Sequence, residues 1–315
     1  MNKNPCAVIT GVAGFIGSNL ADSLIKEGYK VIGIDNLSHG IKSQVPSEVE
    51  FHELDIRSKD IYPLFREGNF VFHLAAISSI SDCQKDPIEA SDINITGAVN
   101  VFEAAYRAGV KKVIYAETSA LYEGIDVFPT SETNIAPKSF YAFSKACENL
   151  FAEGYKNFRG LTMIGLRYFN VYGYRQDYRR TIPPVISSFI IKLLKKENPI
   201  IYGDGSKKRD FIYVDDVNDF HLLCLKDDRV NNKVFNLGSG ESYSVLEVYE
   251  KIKEILRVDI KPIFQKDLEG DEIEKTLADI TEAKKIGWAP KKNFAEGLKD
   301  MVRYIKAEME KGNIV

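Results

Sequence analysis

The chain has 315 residues, enough for one large or two fused domains, and 44% hydrophobic content supplies a substantial core. A net charge of −3 argues against a nucleic-acid surface, and no apolar run approaches membrane-spanning length. Four scattered cysteines show neither metal spacing nor a disulfide framework, so the expectation is a cytoplasmic protein with no metal site. The first residues run straight into a strand, which leaves no room for a signal peptide.

That strand is the apolar run Ala7-Val8-Ile9, which reads as a buried parallel strand. Thr10-Gly-Val-Ala-Gly-Phe-Ile-Gly17 follows, and Ser18 to Glu27 then carry apolar positions at helical spacing. Strand, glycine turn and helix occur in the order a dinucleotide site requires. Gly11 and Gly14 permit a tight turn and close backbone approach, and Gly17 lets the helix pack on the strand. Phe15 and Ile16 open the helix, whose N-terminus offers N–H groups to a pyrophosphate. A second strand, Lys30 to Ile34, ends in Asp35, where an acid takes the adenosine ribose hydroxyls. A carboxylate there repels a 2′-phosphate, so NAD is expected rather than NADP. Glycine-rich turns are common and the spacing here is Gly-x-x-Gly-x-x-Gly. The flanking elements and the acid carry the reading.

A polar loop, 36–48, leads to a third strand near Glu50 to Leu54, with Asp55 and Ile56 at its end, where an adenine would lie. A short helix at 58–66 precedes the strand Phe70 to Leu74, and Ala75-Ala76 form a small-residue turn beside the expected cofactor. A long helix is predicted from Asp86 to Ala108. Asn94 and Gly97 inside it are poor helix-interior choices, which predicts a close contact there. Strand Lys112 to Ala116 runs into Glu117-Thr118-Ser119, followed by helix 140–157, strand 161–167 and the run Arg167 to Gly173. The alternation predicts an α/β protein: a Rossmann-type doubly wound parallel sheet over 1–172, completed by about 211–240. The remainder, 173–315, shows helix 182–196, strand Pro199 to Tyr202, strand Arg209 to Val214 and helix 294–311. Its weaker alternation predicts a smaller mixed α/β substrate-binding domain over the carboxyl ends of the strands.

Tyr141-Ala-Phe-Ser-Lys145 places a phenol and an ammonium four apart on one helix face. A phenol with a pKa of about 10 is a poor base at neutral pH. A neighbouring cation favours the phenolate, and lowering the pKa by about two to three pH units represents roughly 3–4 kcal/mol. Tyr and Lys also fall four apart by chance on many helices. The context adds Thr118, a strand-end hydroxyl that could relay a proton to Tyr141 or simply cap a turn.

Together these residues resemble the extended short-chain dehydrogenases/reductases of the nucleotide-sugar epimerase/dehydratase family, over nearly the whole chain. The carrying segments are Thr10–Gly17, Asp35-Asn36, Asp55-Ile56, His73-Leu74-Ala75-Ala76, Asn94, Thr118–Tyr122, Tyr141–Lys145, Arg167–Asn170, Arg209–Phe211 and Gly238–Gly240. The resemblance implies a tightly held NAD that is reduced and reoxidised within each turnover. It implies that Tyr141, assisted by Thr118, takes the proton of a sugar 4-hydroxyl, while Lys145 holds the nicotinamide ribose and depresses the Tyr141 pKa. Asn36, Leu74 and Asn94 join the implied cofactor contacts. Ser119, Tyr168, Asn170, Arg175, Tyr202, Arg209, Asp271 and Thr276 are the implied substrate contacts. The partners implied are a UDP-sugar and a second copy of the chain, paired through the helices near 90–108 and 140–157. UDP-N-acetylglucosamine and UDP-glucose are the expected substrates.

Three departures shape the expectation. The Asp-Glu pair of the family's dehydratases is replaced by Ser119-Ala120, which favours epimerisation over elimination of water. Glu123 separates Tyr122 from Gly124, which predicts a differently shaped loop. The late phosphate-binding Arg-x-Gly-Asp reads Leu268-Glu-Gly-Asp271, leaving Lys266 as the nearest substitute cation. Another NAD-dependent nucleotide-sugar enzyme (a 4,6-dehydratase or reductase) and a non-catalytic NAD sensor stay as alternatives. The intact Thr118, Tyr141 and Lys145 count against the sensor.

Overall fold

The computed structural model describes residues 4–180, 183–267 and 273–314. Its frame is a seven-stranded sheet of order β11-β6-β5-β4-β1-β2-β3. In chain order these strands are β1 Cys6–Thr10, β2 Lys30–Asp35, β3 Glu50–Glu53, β4 Phe70–His73, β5 Lys112–Thr118, β6 Met163–Tyr168 and β11 Val234–Leu237. Every pairing within it is parallel. Continuous apolar runs such as Ala7-Val8-Ile9 suit strands covered on both sides, and these residues are fully buried. On one face, side chains of α1 (Phe15–Lys26) and α7 (Val214–Lys226) share a core with Ile9, Phe72 and Ile114. On the other, α4 (Ala98–Ala108) and α5 (Phe140–Arg159) pack on Val8, Val71 and Tyr115.

β1 lies between β2 and β4, so the chain leaves β1 in one direction and returns on its other side at β4. The loops after these two strands therefore diverge and open a crevice at the carboxyl edge, where open α/β sheets bind ligands.

The expected helix over 86–108 is continuous but changes pitch. After α2 (Ile80–Lys85), α3 (Pro87–Ser91) passes into a π-helical turn, Asp92–Gly97, before α4. A Cβ at Gly97 would lie 2.6 Å from the Ile56 side chain, so the glycine marks the close contact the sequence predicts. The segment 58–66 is a 3₁₀ helix, Lys59–Glu67, with Pro63 inside it.

A separate apolar cluster joins α6 (Val185–Leu194), α8 (Val245–Leu256) and α10 (Phe294–Glu310) around Phe211 and Tyr213. Small two-stranded pairings decorate it: β8 (Ile200–Tyr202) with β13 (Ile263–Gln265), β9 (Lys208–Arg209) with β12 (Tyr243–Ser244), and β10 (Phe211–Tyr213) with β7 (Asn170–Tyr172). The single strand predicted over 209–214 is corrected here. It breaks at Asp210, which is fully buried and accepts hydrogen bonds from the N–H groups of Ser239, Gly240 and Ala278. The Asp210 N–H donates to Thr276 Oγ1 and its carbonyl accepts from Asn170 N, so the backbone leaves the β9 ladder and switches partners before α7 starts at Val214.

Candidate active site

The crevice is a cleft of about 500 Å³. Gly11, Gly14, Phe15, Ile16 and Gly17 line it at the β1–α1 turn. Gly11 has φ +76°, and a Cβ there would lie 2.7 Å from the Ala75 nitrogen. A Cβ on Gly17 would fall 2.2 Å from the Gly11 oxygen. The turn therefore closes only with glycine, and among the described residues no side chain caps the α1 N-terminus that faces the cleft. Leu74, Ala75 and Ala76 form the opposite lip.

Asp35 and Asn36 stand at the end of β2, with Asp55 and Ile56 at the end of β3. The Asp35 carboxylate accepts from Ala13 N (3.0 Å) and Leu37 N (2.8 Å), and burial raises its pKa. Asp55 accepts from Asn36 Nδ2 at 2.9 Å and is gripped by Arg57, whose guanidinium holds the carboxyl well below the usual range. An uncapped helix start, glycine walls and two fixed carboxylates at neighbouring strand ends fit a dinucleotide.

Thr118, Tyr141 and Lys145 line the same cleft. Thr118 Oγ1 accepts from Ala120 N at 3.1 Å and is also the hydroxyl partner of the Tyr141 phenol. The same oxygen thus caps the turn and faces the phenol. Burial raises the Tyr141 pKa, and the Lys145 ammonium and Thr118 hydroxyl oppose that rise without cancelling it. Lys145 lowers the phenol pKa, and desolvation outweighs the cation. Asn94 stands behind this wall rather than in it. Its amide accepts from Ile77 N (2.8 Å) and donates to Ser144 Oγ (3.0 Å), which itself donates to Tyr141 O (2.8 Å). Glu123 gives its loop a purpose: it accepts from the N–H groups of Lys138 and Ser139, clamping the entry to α5.

On the far side, Tyr168 and Asn170 line the cleft. The Tyr168 hydroxyl lies 2.7 Å from His221 Nε2. Asn170 Nδ2 donates to Asp210 O (3.1 Å) and to Thr276 Oγ1 (3.3 Å), so Thr276 buttresses the wall without lining it. Ser119 lies in a 3₁₀ turn beyond Thr118. Arg175 points to α1, donating to Ser18 O at 2.9 Å and pairing with Asp22 at 2.7 Å. Its neighbours Gln176 and Asp177 are the ones that reach the cleft. Tyr202 is exposed on β8, and Arg209 on β9 donates to Lys208 O at 3.1 Å. Asp271 and Leu268 lie outside the described residues.

The chain matches the family described as "NAD dependent epimerase/dehydratase family" over residues 7–238. It belongs to that family. A UDP-glucose 4-epimerase of Mycolicibacterium smegmatis is 33% identical over 309 residues, 95% of this chain and 98% of that protein. Among solved structures, the UDP-glucose 4-epimerase of Thermotoga maritima with UDP-glucose superposes with a TM-score of 0.93 at 36% identity, covering 96% of this chain and 99% of that one. The UDP-N-acetylglucosamine 4-epimerase of Methanobrevibacter ruminantium M1, in complex with UDP-N-acetylmuramic acid, gives 0.93 at 34%, covering 98% and 100%. As a member of the NAD-dependent epimerase/dehydratase family, this chain is an enzyme that uses NAD. Among the described residues no helix is long and apolar enough to cross a membrane, and no cluster could hold a metal ion.

Two buried carboxylates at and behind this epimerase/dehydratase-family cleft escape sequence reading. Glu117 on β5 accepts from Arg167 Nε at 2.5 Å and from Tyr115 OH at 3.0 Å, beneath Thr118. Glu148 on α5 contacts Lys145. The signal for Glu148 is its position three residues after Lys145 and seven after Tyr141, on the same helix face.

Proposed function

We propose that this family member is a UDP-sugar 4-epimerase acting on UDP-N-acetylglucosamine/UDP-N-acetylgalactosamine, UDP-glucose/UDP-galactose, or both. One observation carries the reading. Thr118, Tyr141 and Lys145 share a single cleft with the dinucleotide cradle, while Ser119 and Ala120 put no acid where a dehydratase needs one. The nearby Glu117 is buried and committed to Arg167, so it cannot serve as that acid. NAD, when bound, supplies the hydride acceptor and donor at the sugar's C4. Tyr141 takes the proton of the 4-hydroxyl and returns it after the sugar has turned over, and Thr118 holds the hydroxyl in line. Lys145 binds the nicotinamide ribose and stabilises the phenolate. Gly11, Gly14 and the α1 N-terminus receive the pyrophosphate, Asp35 the ribose, and Asp55 with Ile56 the adenine. Asn170 and Arg209 take the UDP phosphates, with Tyr202 beside the uracil.

The acetylated pair is favoured by Gln176 and Asp177, which follow Arg175 in the pattern of epimerases for N-acetylated sugars and line the cleft. A homodimer is supported by the stripe Phe140, Phe143, Leu150, Phe151 and Phe158, all exposed along one side of α5. The four free cysteines fit a cytoplasmic protein.

Incubation of the purified protein with a panel of UDP-sugars, without added reductant, tests the reading by NMR of the products. Interconversion at C4 is the expected result. A 4-keto-6-deoxy product, or no turnover of any UDP-sugar, would overturn it.

A further inference from the structure

Lys145 is nearly fully buried, and a buried ammonium is costly without a counter-charge. Its partner is Glu148, one helical turn on, which is 1% exposed and whose Oε2 accepts from Lys145 Nζ. The second carboxylate oxygen, Oε1, is buried and has no hydrogen-bond partner among the described residues. The nearest imidazole nitrogen, His73 Nε2 of β4, stands 3.8 Å away. His73 is neutral: burial takes its pKa down to about 3, and its Nδ1 faces Thr10 Oγ1 at 2.7 Å. The groups facing Glu148 are thus Lys145 and Tyr141 on α5, neutral His73 on β4, and, on β5, Tyr115 and Glu117, the latter already matched by Arg167 of β6. Tyr168 of β6 completes the surround as an unionised phenol.

Lys145 is therefore the cation that Glu148 answers. The consequence for the base is a matter of sign. With Glu148 charged, its carboxylate offsets part of what the Lys145 ammonium offers the phenolate. With the Glu148 charge removed, the ammonium acts on the phenol unopposed.

We propose that Glu148 is a positioning residue whose carboxylate, paired with the Lys145 ammonium, sets how strongly that cation favours the phenolate. The proposal rests on the epimerase reading for its meaning but not for its test. Burial raises the Glu148 carboxyl to about 7. Its neighbour Glu117 adds to that rise, and Lys145 opposes it.

The experiment is a spectrophotometric titration of Tyr141 in the intact protein with its bound NAD. The phenolate absorbance of the parent minus that of its Tyr141→Phe counterpart isolates this tyrosine. The measurement is made in the natural chain, in Glu148→Gln and in Glu148→Asp. The midpoint is expected to fall by about one pH unit in Glu148→Gln, which corresponds to roughly tenfold more phenolate on the acid limb. Glu148→Asp, which retracts the charge by one carbon, is expected to shift the same way by less. It keeps the test alive if the glutamine variant does not fold. An unchanged or raised midpoint in the folded variants would overturn the proposal, since a purely structural role lowers activity at every pH and leaves the midpoint in place. The titration needs no sugar, so failure of the epimerase reading shows separately, as absent turnover in the natural chain.

Discussion

The two halves of the cleft are built in different ways. On the cofactor side, the defining residues sit in short motifs. Gly11 closes one turn by its φ of +76°, Asp35 is held by Ala13 and Leu37, and Tyr141 and Lys145 ride one helix. On the substrate side, the wall is wired across the chain. Asn170 reaches Asp210 and Thr276, while Asp210 gathers Ser239, Gly240 and Ala278. A local motif specifies its own geometry, whereas a wall assembled from distant segments depends on one buried carboxylate. Substitutions on the two sides should therefore fail differently.

The largest effect is expected from Tyr141→Phe, which removes only a hydroxyl. Turnover should fall about 10²–10⁴-fold while folding and NAD content stay near normal. Near-normal turnover in steady-state assays would remove Tyr141 as the base. Next comes Asp210→Ala, which strands buried N–H donors and should cost about 3 kcal/mol in urea unfolding. The contrast between the halves predicts that this variant loses sugar binding yet retains NAD. Equal loss of both, measured by NAD content and calorimetric UDP binding, would break the comparison. Arg209→Ala removes a proposed phosphate contact, so KM should rise about tenfold with kcat little changed. Unchanged kinetics would take Arg209 out of the substrate site.

The smallest effect concerns acid stability. His221 is fully buried on the substrate side, hydrogen-bonded to Tyr168, and burial takes its pKa from 6.5 to about 3. Its folded pKa is depressed, so its contribution is whole above pH 6.5 and is lost as pH falls toward 3. His73 on the cofactor side behaves alike, whereas Glu148, raised from 4.5 to about 7, contributes fully below 4.5 and loses that contribution as pH rises through 7. Denaturant midpoints should therefore decline most steeply below about pH 4.5, where Glu148 no longer offsets the imidazoles. His221→Gln should flatten that decline, and an unaltered slope would show that the imidazole is not its source.

Much of the site was legible because its signals are short-range. The Gly-x-x-Gly-x-x-Gly turn, Asp35 at a strand end and Tyr141 with Lys145 each need only a few consecutive residues to state their geometry. Gly97 was legible for a related reason, since a glycine in a helix interior asks for a neighbour, here Ile56. Arg175 shows the limit. Its motif points to the substrate, but the φ of +62° turns the side chain onto Asp22, and Gln176 and Asp177 enter the cleft instead.

Sequence periodicity and turn chemistry by themselves determined the doubly wound sheet, its crevice and the preference for NAD. These depend on strand burial, backbone conformation at glycine and the charge of one aspartate. Only the tertiary structure decided the break at Asp210, the answer of Glu148 to Lys145 and the net rise of the Tyr141 pKa. Each of these is set by how far a polar group is removed from water and by what stands opposite it. Desolvation depends on the whole surround of a group, and a linear pattern does not carry that surround.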